Sequence, residues 1–408
     1  MIGSVGSNPS TKKTDRLLIY MHCAYFLVGV GIMMLGPLLP LLSRQWQLAD
    51  GASGTLLAAQ FAGSFCGAVL LQFDLRRSLS LGSVCLVAGY SGMACATHFT
   101  AGFPLGVGAL LVSGFGVGQL CNSISLIAGR RYKQNRGRAL MSLNLIWSAG
   151  ALLSPLFVGF AVLHLSLQGL IGLFALAGVM LLIFQRSLAA EDWFHQSQSV
   201  TQRELPRLGS QSWSTWILPG YFAFLFFLYG ALENSLSGWL SSFAVRYTHT
   251  TVSSGVFSTS MLWVGITAGR ALGLLLLRFL SEKQVQLISL LTATLTSALL
   301  ILVHTPVQLL ILAVAIGCGL APFIPVTTSL LLSDAQPTTR QAGFVLASSA
   351  LGAAFLQWSV GILSQHLGSL KLALELPTCV GALLLMLCSI KTAKVLSLFT
   401  SKHQSVLK

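Results

Sequence analysis

Two acidic side chains in this sequence fall inside long apolar runs, where an ionised group is costly. Of the ten acidic residues, eight occur in polar stretches, and Glu233 and Glu375 occur within apolar ones. A charge at the centre of an apolar membrane helix costs about 2.5–3.5 kcal/mol, so it needs a partner or a function. Glu375 has Lys371 one helical turn before it, which predicts either a local ion pair at the membrane interface or side chains that extend to that interface. Glu233 has no cation near it in sequence. It is predicted to bind a proton or another cation, with a structural role or substrate contact as alternatives.

Arg270 is the basic residue that lies deep in an apolar run. Its guanidinium group stays charged and offers five hydrogen-bond donors. It follows Gly265 and Gly269, whose spacing lets another helix approach closely. Two uses fit this position: a structural or gating contact between helices, and a contact with an anionic group of a substrate. At 1.5 Å rise per residue, Arg270 lies about 10 Å closer than Glu233 to the predicted cytoplasmic side of the membrane. This separation argues against a direct ion pair between them.

Uncharged polar residues and a tryptophan recur at helical spacing in several other apolar runs. Amide side chains donate and accept hydrogen bonds, as sugar hydroxyl groups do, and an aromatic ring suits the apolar face of a pyranose. The alternative is ordinary hydrogen bonding between helices, worth about 0.6 kcal/mol per contact. The predicted substrate-binding residues are Gln60, Gln119, Asn122, Asn144, Trp147, Asn234, Arg270 and Gln357.

Other kinds of chemistry lack their residues in this sequence. The eight cysteines all fall in apolar runs, with no C-x-x-C pair and no histidine cluster that would hold a metal. His22 lies within an apolar run without an acidic companion, which argues against a membrane enzyme, and the phosphate-binding loop of an ATP-driven pump is missing. We therefore predict no cofactor, no metal and no catalytic residue, and a proton as the ion that Glu233 binds.

The elements that must position these residues are twelve long apolar runs. Charged residues make up 8% of the 408 residues, against about 25% in a soluble domain. Since about 20 apolar residues cross a bilayer as a helix, the sequence predicts an all-α membrane protein with twelve transmembrane helices. Pro322 and Pro325 predict a break in the tenth helix. The runs lie near 17–42, 52–73, 79–99, 102–128, 138–162, 165–185, 218–243, 253–277, 284–303, 306–332, 341–365 and 370–390.

The net charge of +14 follows the predicted topology. With twelve helices both termini lie on one side, and that side collects 20 of the 24 Lys and Arg residues, whereas the other side has 3 and Arg270 lies within a run. The positive-inside rule therefore predicts that both termini lie in the cytoplasm. The basic balance is an orientation signal, and nucleic acid is not a predicted partner.

The sequence repeats itself at an offset of 201 or 202 residues. Gly29 matches Gly230 at an offset of 201, and Gly63 matches Gly265 at an offset of 202. An even number of helices in each half gives the halves the same orientation, which is typical of secondary transporters with parallel repeats. The predicted units are an N-terminal six-helix bundle (1–186), a cytoplasmic linker (187–213) and a C-terminal six-helix bundle (214–408).

Several motifs make the chain resemble the major facilitator superfamily. The segment GAVLLQFDLRRS keeps Gly67, Asp74, Arg76 and Arg77 of the loop that this family carries between its second and third helices. The segments LYGALENSLSGWL, GLAPFIPVTTSLLLS and GFVLASSALGAAFLQWSVG look like the fucose-permease branch. That branch contains sugar–proton symporters and sodium-dependent glucose carriers, so the resemblance implies alternating access of a central cavity by rocking of two six-helix bundles.

The polar residues and the resemblance together predict a secondary active transporter. The expected substrate is a small polar solute, above all a monosaccharide, imported with a proton through Glu233. An exporter of drugs or other amphipathic solutes and an uncoupled facilitator of the same fold are the alternatives. We expect a monomer that contacts membrane lipid, in the bacterial cytoplasmic (inner) membrane.

Overall fold

In a computed structural model of the chain, the described residues form twelve helices that are long and apolar enough to cross a membrane, as the sequence predicts. The structure describes residues 9–70, 75–132, 136–188 and 213–390. The first half contains α1 (Pro9–Gln45), α2 (Asp50–Val69), α3 (Leu75–Ala96), α4 (Phe103–Arg131), α5 (Arg136–Ala161) and α6 (Leu167–Leu188). The second half contains α7 (Ile217–Tyr247), α8 (Val252–Leu276), α9 (Glu282–Ala298, extended by a 3-10 turn, Leu299–Leu302), α10 (Pro306–Leu320 and Phe323–Leu330, followed by a π turn, Leu331–Ala335), α11 (Thr339–Leu367) and α12 (Leu370–Ala373 and Glu375–Ser389).

Local sequence signals set several of these helix ends. Ser281, Thr305 and Thr338 each form a capping box with a glutamine three residues later, so two backbone donors at each helix start are satisfied. Gly368 ends α11 with a φ of 65°, a left-handed conformation that glycine adopts without a steric cost. The loops before α9, α10 and α11 and the loop after α11 are therefore short and defined.

The two halves repeat the same helix packing. In the first half α1 packs on α5, α2 on α4, and α3 on both α4 and α6. The second half shows the equivalent pairs, α7 on α11, α8 on α10, and α9 on both α10 and α12. A Cβ atom at Gly29 would overlap the backbone of α5, and one at Gly230 would overlap the backbone of α11. The glycines that match at an offset of 201 thus allow the same close crossing in each half.

Among the described residues, the most extensive contacts between the halves are those of α2 with α11, α5 with α8, and α1 with α7, and α1 also contacts α8. We call the end at which α1 begins and α12 ends the terminal end, and the opposite end, where α2 and α8 begin, the distal end. The predicted linker lies almost wholly in 189–212, outside the described residues, as do residues 71–74 of the GAVLLQFDLRRS loop. The domain boundaries therefore stay predictions.

Two helices of the second half are interrupted. The first part of α10 ends at Leu320 and the second begins at Phe323, so the break includes Pro322. In α12 the first turn ends before Leu374, and Glu375 opens the next segment.

The predicted ion pair between Lys371 and Glu375 is wrong. The Lys371 Nζ atom donates to the carbonyl oxygen of Val303 at 2.9 Å and lies 5.7 Å from the ring centroid of Tyr247. The interruption of α12 between the two residues breaks the one-turn spacing on which the prediction depended. Among the described residues, no ion-pair contact joins them.

Candidate functional site

A small cavity lies between the two halves, where α1, α2, α7 and α11 meet. Three of the predicted substrate-binding residues line it: Gln60 from the first half, and Asn234 and Gln357 from the second. Its volume is about 10 Å³, which is room for about one water molecule. The remaining lining residues are Ile32, Met33, Leu35, Gly36, Leu57, Phe61, Ser237 and Gly238.

The amide groups at this cavity have fixed orientations. The Gln60 Nε2 atom donates to the hydroxyl oxygen of Tyr90 at 2.8 Å, and the Gln357 Nε2 atom donates to the backbone carbonyl of Asn234 at 2.8 Å. Both Oε1 atoms are fully buried and accept no hydrogen bond from the protein. A buried acceptor without a donor costs about 1–3 kcal/mol, so each of these two oxygens is placed to accept a hydrogen bond from a water molecule or a ligand in the cavity.

Glu233 is buried in the middle of α7, next to Asn234 in sequence. Its side chain is 8% exposed. The hydroxyl group of Tyr229, one turn earlier, lies 3.2 Å from the Glu233 Oε1 atom and 3.0 Å from the carbonyl oxygen of Leu320. The Tyr229 ring stacks on the ring of Phe323, with centroids 4.4 Å apart and planes 5° from parallel. The carboxyl group is therefore connected to the break in α10.

Arg270 links the two halves on the terminal side of Glu233. Its Nη1 atom donates to the hydroxyl oxygen of Ser148 in α5, and Ser148 donates in turn to the carbonyl oxygen of Asn144. Arg270 acts electrostatically on Glu233, although the part of the chain that the structure describes has no ion-pair contact between them. This geometry fits the gating role for Arg270, and substrate contact stays a prediction.

The other predicted ligands lie away from the cavity. The Gln119 Nε2 atom donates to carbonyl oxygens at the end of α2, those of Gly67 and Leu70, and the Asn122 Nδ2 atom donates to that of Ala68. The exposed amide of Asn144 donates to the carbonyl oxygen of Leu140 in its own helix. The ring of Trp147 meets that of Trp263 edge-on across the α5–α8 contact, with ring centroids 5.4 Å apart. As substrate ligands all four stay predictions.

Comparisons with known proteins identify the family of this molecule. The sequence profile of the Major Facilitator Superfamily matches residues 21–356. The chain belongs to this superfamily. It is therefore an integral, multi-pass membrane protein of a family of transporters, whose members are not enzymes.

Individual relatives of this superfamily member are distant. The uncharacterized MFS-type transporter YcaD of Escherichia coli O17:K52:H18 is 26% identical over 197 residues, which is 46% of this chain and 50% of that protein. The match thus spans about half the length of the curated relative. Among solved structures, the partially occluded inward-open xylose transporter XylE from E. coli matches 91% of this chain and 96% of its own, with a TM-score of 0.70 at 15% identity. A POT family transporter in complex with a thioalcohol-conjugated peptide matches 93% and 96%, with a TM-score of 0.72 at 15% identity. These two likenesses show the fold.

The sequence did not predict the polar cluster that closes the distal end of this superfamily member. Asp50, the first residue of α2, accepts two hydrogen bonds from Arg246 of α7, at 2.8 and 2.5 Å, and a third from Ser364 of α11 at 2.5 Å. The backbone N–H of Gly51 donates to the Oε1 atom of Gln365 at 3.1 Å. We call these five residues the distal cluster. Arg246 is one of only three Lys and Arg residues on the predicted side of the membrane opposite the termini. This rarity was the sequence signal that could have indicated a functional contact.

Glycine contacts tighten the distal half of the same interface. A Cβ atom at Gly36 of α1 would lie 3.0 Å from the backbone of Gly238 in α7. One at Gly54 of α2 would lie 2.8 Å from the carbonyl oxygen of Gln357 and 3.1 Å from Gly361 in α11. The helices therefore touch backbone to backbone, and the central cavity is closed toward the distal end in this structure.

Proposed function

We propose that this chain is a proton-coupled transporter of a small, neutral, polyhydroxylated solute such as a monosaccharide. The observation that carries the proposal is the pair of buried, unpartnered amide oxygens, of Gln60 and Gln357, at the interface of the halves. Each oxygen can accept a hydrogen bond from a ligand, and hydroxyl groups are the uncharged donors that a polyol offers in number. The two oxygens belong to opposite halves, so one solute that binds both stabilises a closed, loaded state.

The narrow cavity favours this class of substrate over the drug-exporter alternative. An exporter of amphipathic solutes needs a wide, mostly aromatic chamber, whereas the lining here includes three amides and a single aromatic residue, Phe61. One structural neighbour of the same fold is a D-xylose–proton symporter (TM-score 0.72, 15% identity). A solute larger than water requires the halves to move apart, as alternating access demands.

Glu233 is the proposed proton site. The proton affinity of a carboxyl group depends on whether its surroundings are dry or hydrated. Glu233 is next in sequence to Asn234, which lines the cavity between the two halves. Its hydration would then change as the cavity opens on one side and then on the other. A group of this kind loads a proton in one state and releases it in the next. Without such coupling the chain is an uncoupled facilitator.

The proposed orientation places both termini in the cytoplasm of a bacterial cell, with the distal end facing the periplasm. On a cysteine-free background, His304→Cys, in the loop between α9 and α10, should react with a membrane-impermeant maleimide in intact cells. Phe279→Cys, 85% exposed between α8 and α9, should react in inverted vesicles alone. The reverse pattern would overturn the orientation and leave the fold unchanged.

The substrate class is tested by ligand-induced stabilisation of the purified protein. A ligand at 100 times its Kd adds about 2.7 kcal/mol of stability, so a thermal-shift screen of monosaccharides, polyols, nucleosides, amino acids and amphipathic cations should single out the first two groups. Gln60→Leu and Gln357→Leu should each weaken the affinity for the best ligand by up to about tenfold, the value of one hydrogen bond.

Gln185 provides the matched control for these amides. It is also buried, but its Oε1 atom accepts hydrogen bonds from Tyr20 and Ser83 and its Nε2 atom donates to Ser80, away from the cavity. Gln185→Leu should therefore lower the melting temperature and leave the Kd unchanged. Strongest stabilisation by an amphipathic cation would contradict the polyol proposal. So would unchanged affinity in both cavity variants.

A further inference from the structure

The Tyr229 hydroxyl group has one hydrogen and two acceptors within reach. The Glu233 Oε1 atom lies 3.2 Å from the Tyr229 oxygen, and the carbonyl oxygen of Leu320 lies 3.0 Å from it. A single hydroxyl donates one strong hydrogen bond at a time, although its oxygen can also accept one. Both contacts are made at full strength only when a hydrogen on Glu233 points to the tyrosine.

The protonation state of Glu233 thus selects between two hydrogen-bond arrangements. When the carboxyl group is ionised, it can only accept, and the Tyr229 hydroxyl donates to it. When the carboxyl group is protonated, it donates to the Tyr229 oxygen, and the hydroxyl hydrogen turns to the carbonyl of Leu320. One proton arrives on Glu233 from water, and the tyrosine keeps its own hydrogen throughout.

Tyr229 contacts both sides of the interruption in α10. Its hydroxyl reaches Leu320, the last residue of the first part, and its ring stacks on Phe323, the first residue of the second part. Pro322 and Pro325 have no N–H groups, so the hydrogen-bond ladder is already weakened here. A hydrogen bond gained or lost at Leu320 therefore acts at the point where α10 bends most easily.

We propose that Tyr229 is a positioning residue that transmits the protonation of Glu233 to the break in α10. In the protonated state the two parts of α10 are held through Tyr229, and in the ionised state the first part is released from it. Coupling then follows, because α10 packs on α8, which contacts α5 of the other half, and the angle between the two parts of α10 depends on the proton. This inference rests on the proposed proton site at Glu233.

The surroundings of Glu233 contain one cation that enters the same equilibrium. Arg270 of α8 and Tyr229 of α7 are the groups that act on the carboxyl group, and the described parts of α1, α10, α11 and α12 add no further charged group to that pair. Arg270 is itself held by Ser148 of the other half. Separation of α5 from α8 would free Arg270 to act more strongly on Glu233, which links the proton site to the opening of the interface.

Hydrogen–deuterium exchange of the purified full chain at one pH tests the switch directly. Glu233→Gln mimics the protonated carboxyl group, because its amide donates to the Tyr229 oxygen. In an otherwise unchanged chain it should slow exchange in peptides that cover 317–326 by about two- to tenfold, the factor expected from one hydrogen bond. Tyr229→Phe keeps the ring that stacks on Phe323 and removes the hydroxyl. When Tyr229→Phe is present, the further substitution Glu233→Gln should no longer alter hydrogen–deuterium exchange in the peptides that cover 317–326.

Tyr221 supplies the matched control on the same helix. Its hydroxyl also donates to a backbone carbonyl, that of Leu387 in α12, at 2.9 Å. With Tyr221→Phe, the effect of Glu233→Gln on α10 should persist in full. If Glu233→Gln slows exchange equally with and without Tyr229→Phe, or has no effect on these peptides in the unchanged chain, the switch is overturned.

Transport assays separate failure of the switch from failure of the proton site. In proteoliposomes, Tyr229→Phe should exchange substrate at equal pH but lose accumulation driven by a pH difference. Normal accumulation by Tyr229→Phe, together with its loss in Glu233→Gln, would overturn the switch and leave the proton site in place. Accumulation by Glu233→Gln would overturn the proton site itself.

Discussion

Arg246→Asp is expected to disfavour closure of the distal end and to reduce transport by up to about tenfold. In the closed structure this substitution faces a second carboxylate, Asp50, whose side chain is only 15% exposed. The Arg246 side chain is 38% exposed, so solvent screens part of the interaction. After that discount, the lost bidentate contact and the new repulsion disfavour closure by about 1–2 kcal/mol, or about tenfold in population.

The population of the open state can be measured by labelling a cysteine in the central cavity. Ser237→Cys, on a cysteine-free background, lies at a cavity-lining position that is buried in the closed structure. Its reaction with an impermeant reagent added at the distal side should be about tenfold faster with Arg246→Asp, in proportion to the open population.

A double variant in which the two charges are exchanged tests whether the loss of closure comes from charge repulsion. Asp50→Arg combined with Arg246→Asp should restore much of the closure, because the ion pair is rebuilt with its signs reversed. Restoration is expected to be incomplete, since Ser364 and its helix are placed to donate to a carboxylate on α2. Arg44→Asp, an exposed basic residue at the same end outside the distal cluster, should leave the labelling rate unchanged. An unchanged rate with Arg246→Asp would mean that the cluster does not control closure.

The fold was predictable because its signals are local and long. A run of about 20 apolar residues fixes a membrane helix almost by itself. The offset of 201 or 202 between glycines predicted the equivalent crossings at which Gly29 and Gly230 allow close packing. The predicted ion pair between Glu375 and Lys371 was wrong because its signal is a single spacing and not a long run of residues. A one-turn spacing depends on an unbroken helix, and Pro377, which cannot donate to the carbonyl oxygen of Ala373 four residues earlier, is the sequence signal for the interruption of α12.

The candidate site was predictable by residue type, but not by which residues meet. Gln60 and Gln119 are both amides in apolar helices, yet one lines the cavity and the other donates to carbonyl oxygens at the end of α2. Helix ends leave carbonyl groups without partners inside the helix, and a neighbouring amide can satisfy them. Spacing within one helix cannot separate this use from ligand binding. The Asp50–Arg246 pair spans 196 residues, so no local pattern contains it.

Glu233→Gln is expected to abolish accumulation driven by a pH difference while it preserves substrate exchange. The amide keeps the shape of the side chain and its capacity for hydrogen bonds, and it corresponds to a carboxyl group that never releases its proton. Exchange between compartments of equal pH needs the loaded protein to open on each side, and this requires no deprotonation. Accumulation needs the empty protein to return without its proton, which the variant cannot do.

The measurement is uptake of labelled substrate into proteoliposomes, under a pH difference and, separately, as counterflow at equal pH. Glu375→Gln is the matched control, because Glu375 is the other acidic residue within an apolar run and lies in α12, outside the cavity lining. It should accumulate substrate as the unchanged protein does. Glu233→Asp should retain partial uptake with an altered pH optimum, since the carboxyl group remains but withdraws from Tyr229 by one methylene group.

The pattern of loss assigns the role of Glu233. Loss of accumulation alone identifies the proton site, because only the step that releases the proton has been removed. Loss of both accumulation and exchange, with the melting temperature intact, would make Glu233 a substrate ligand instead, because exchange fails only if the solute no longer binds or the loaded protein no longer opens. Accumulation at the normal level under a pH difference would show that the proton travels elsewhere. Arg270, the cation that acts on Glu233, would then be left without a titrating partner in the described part of the interface.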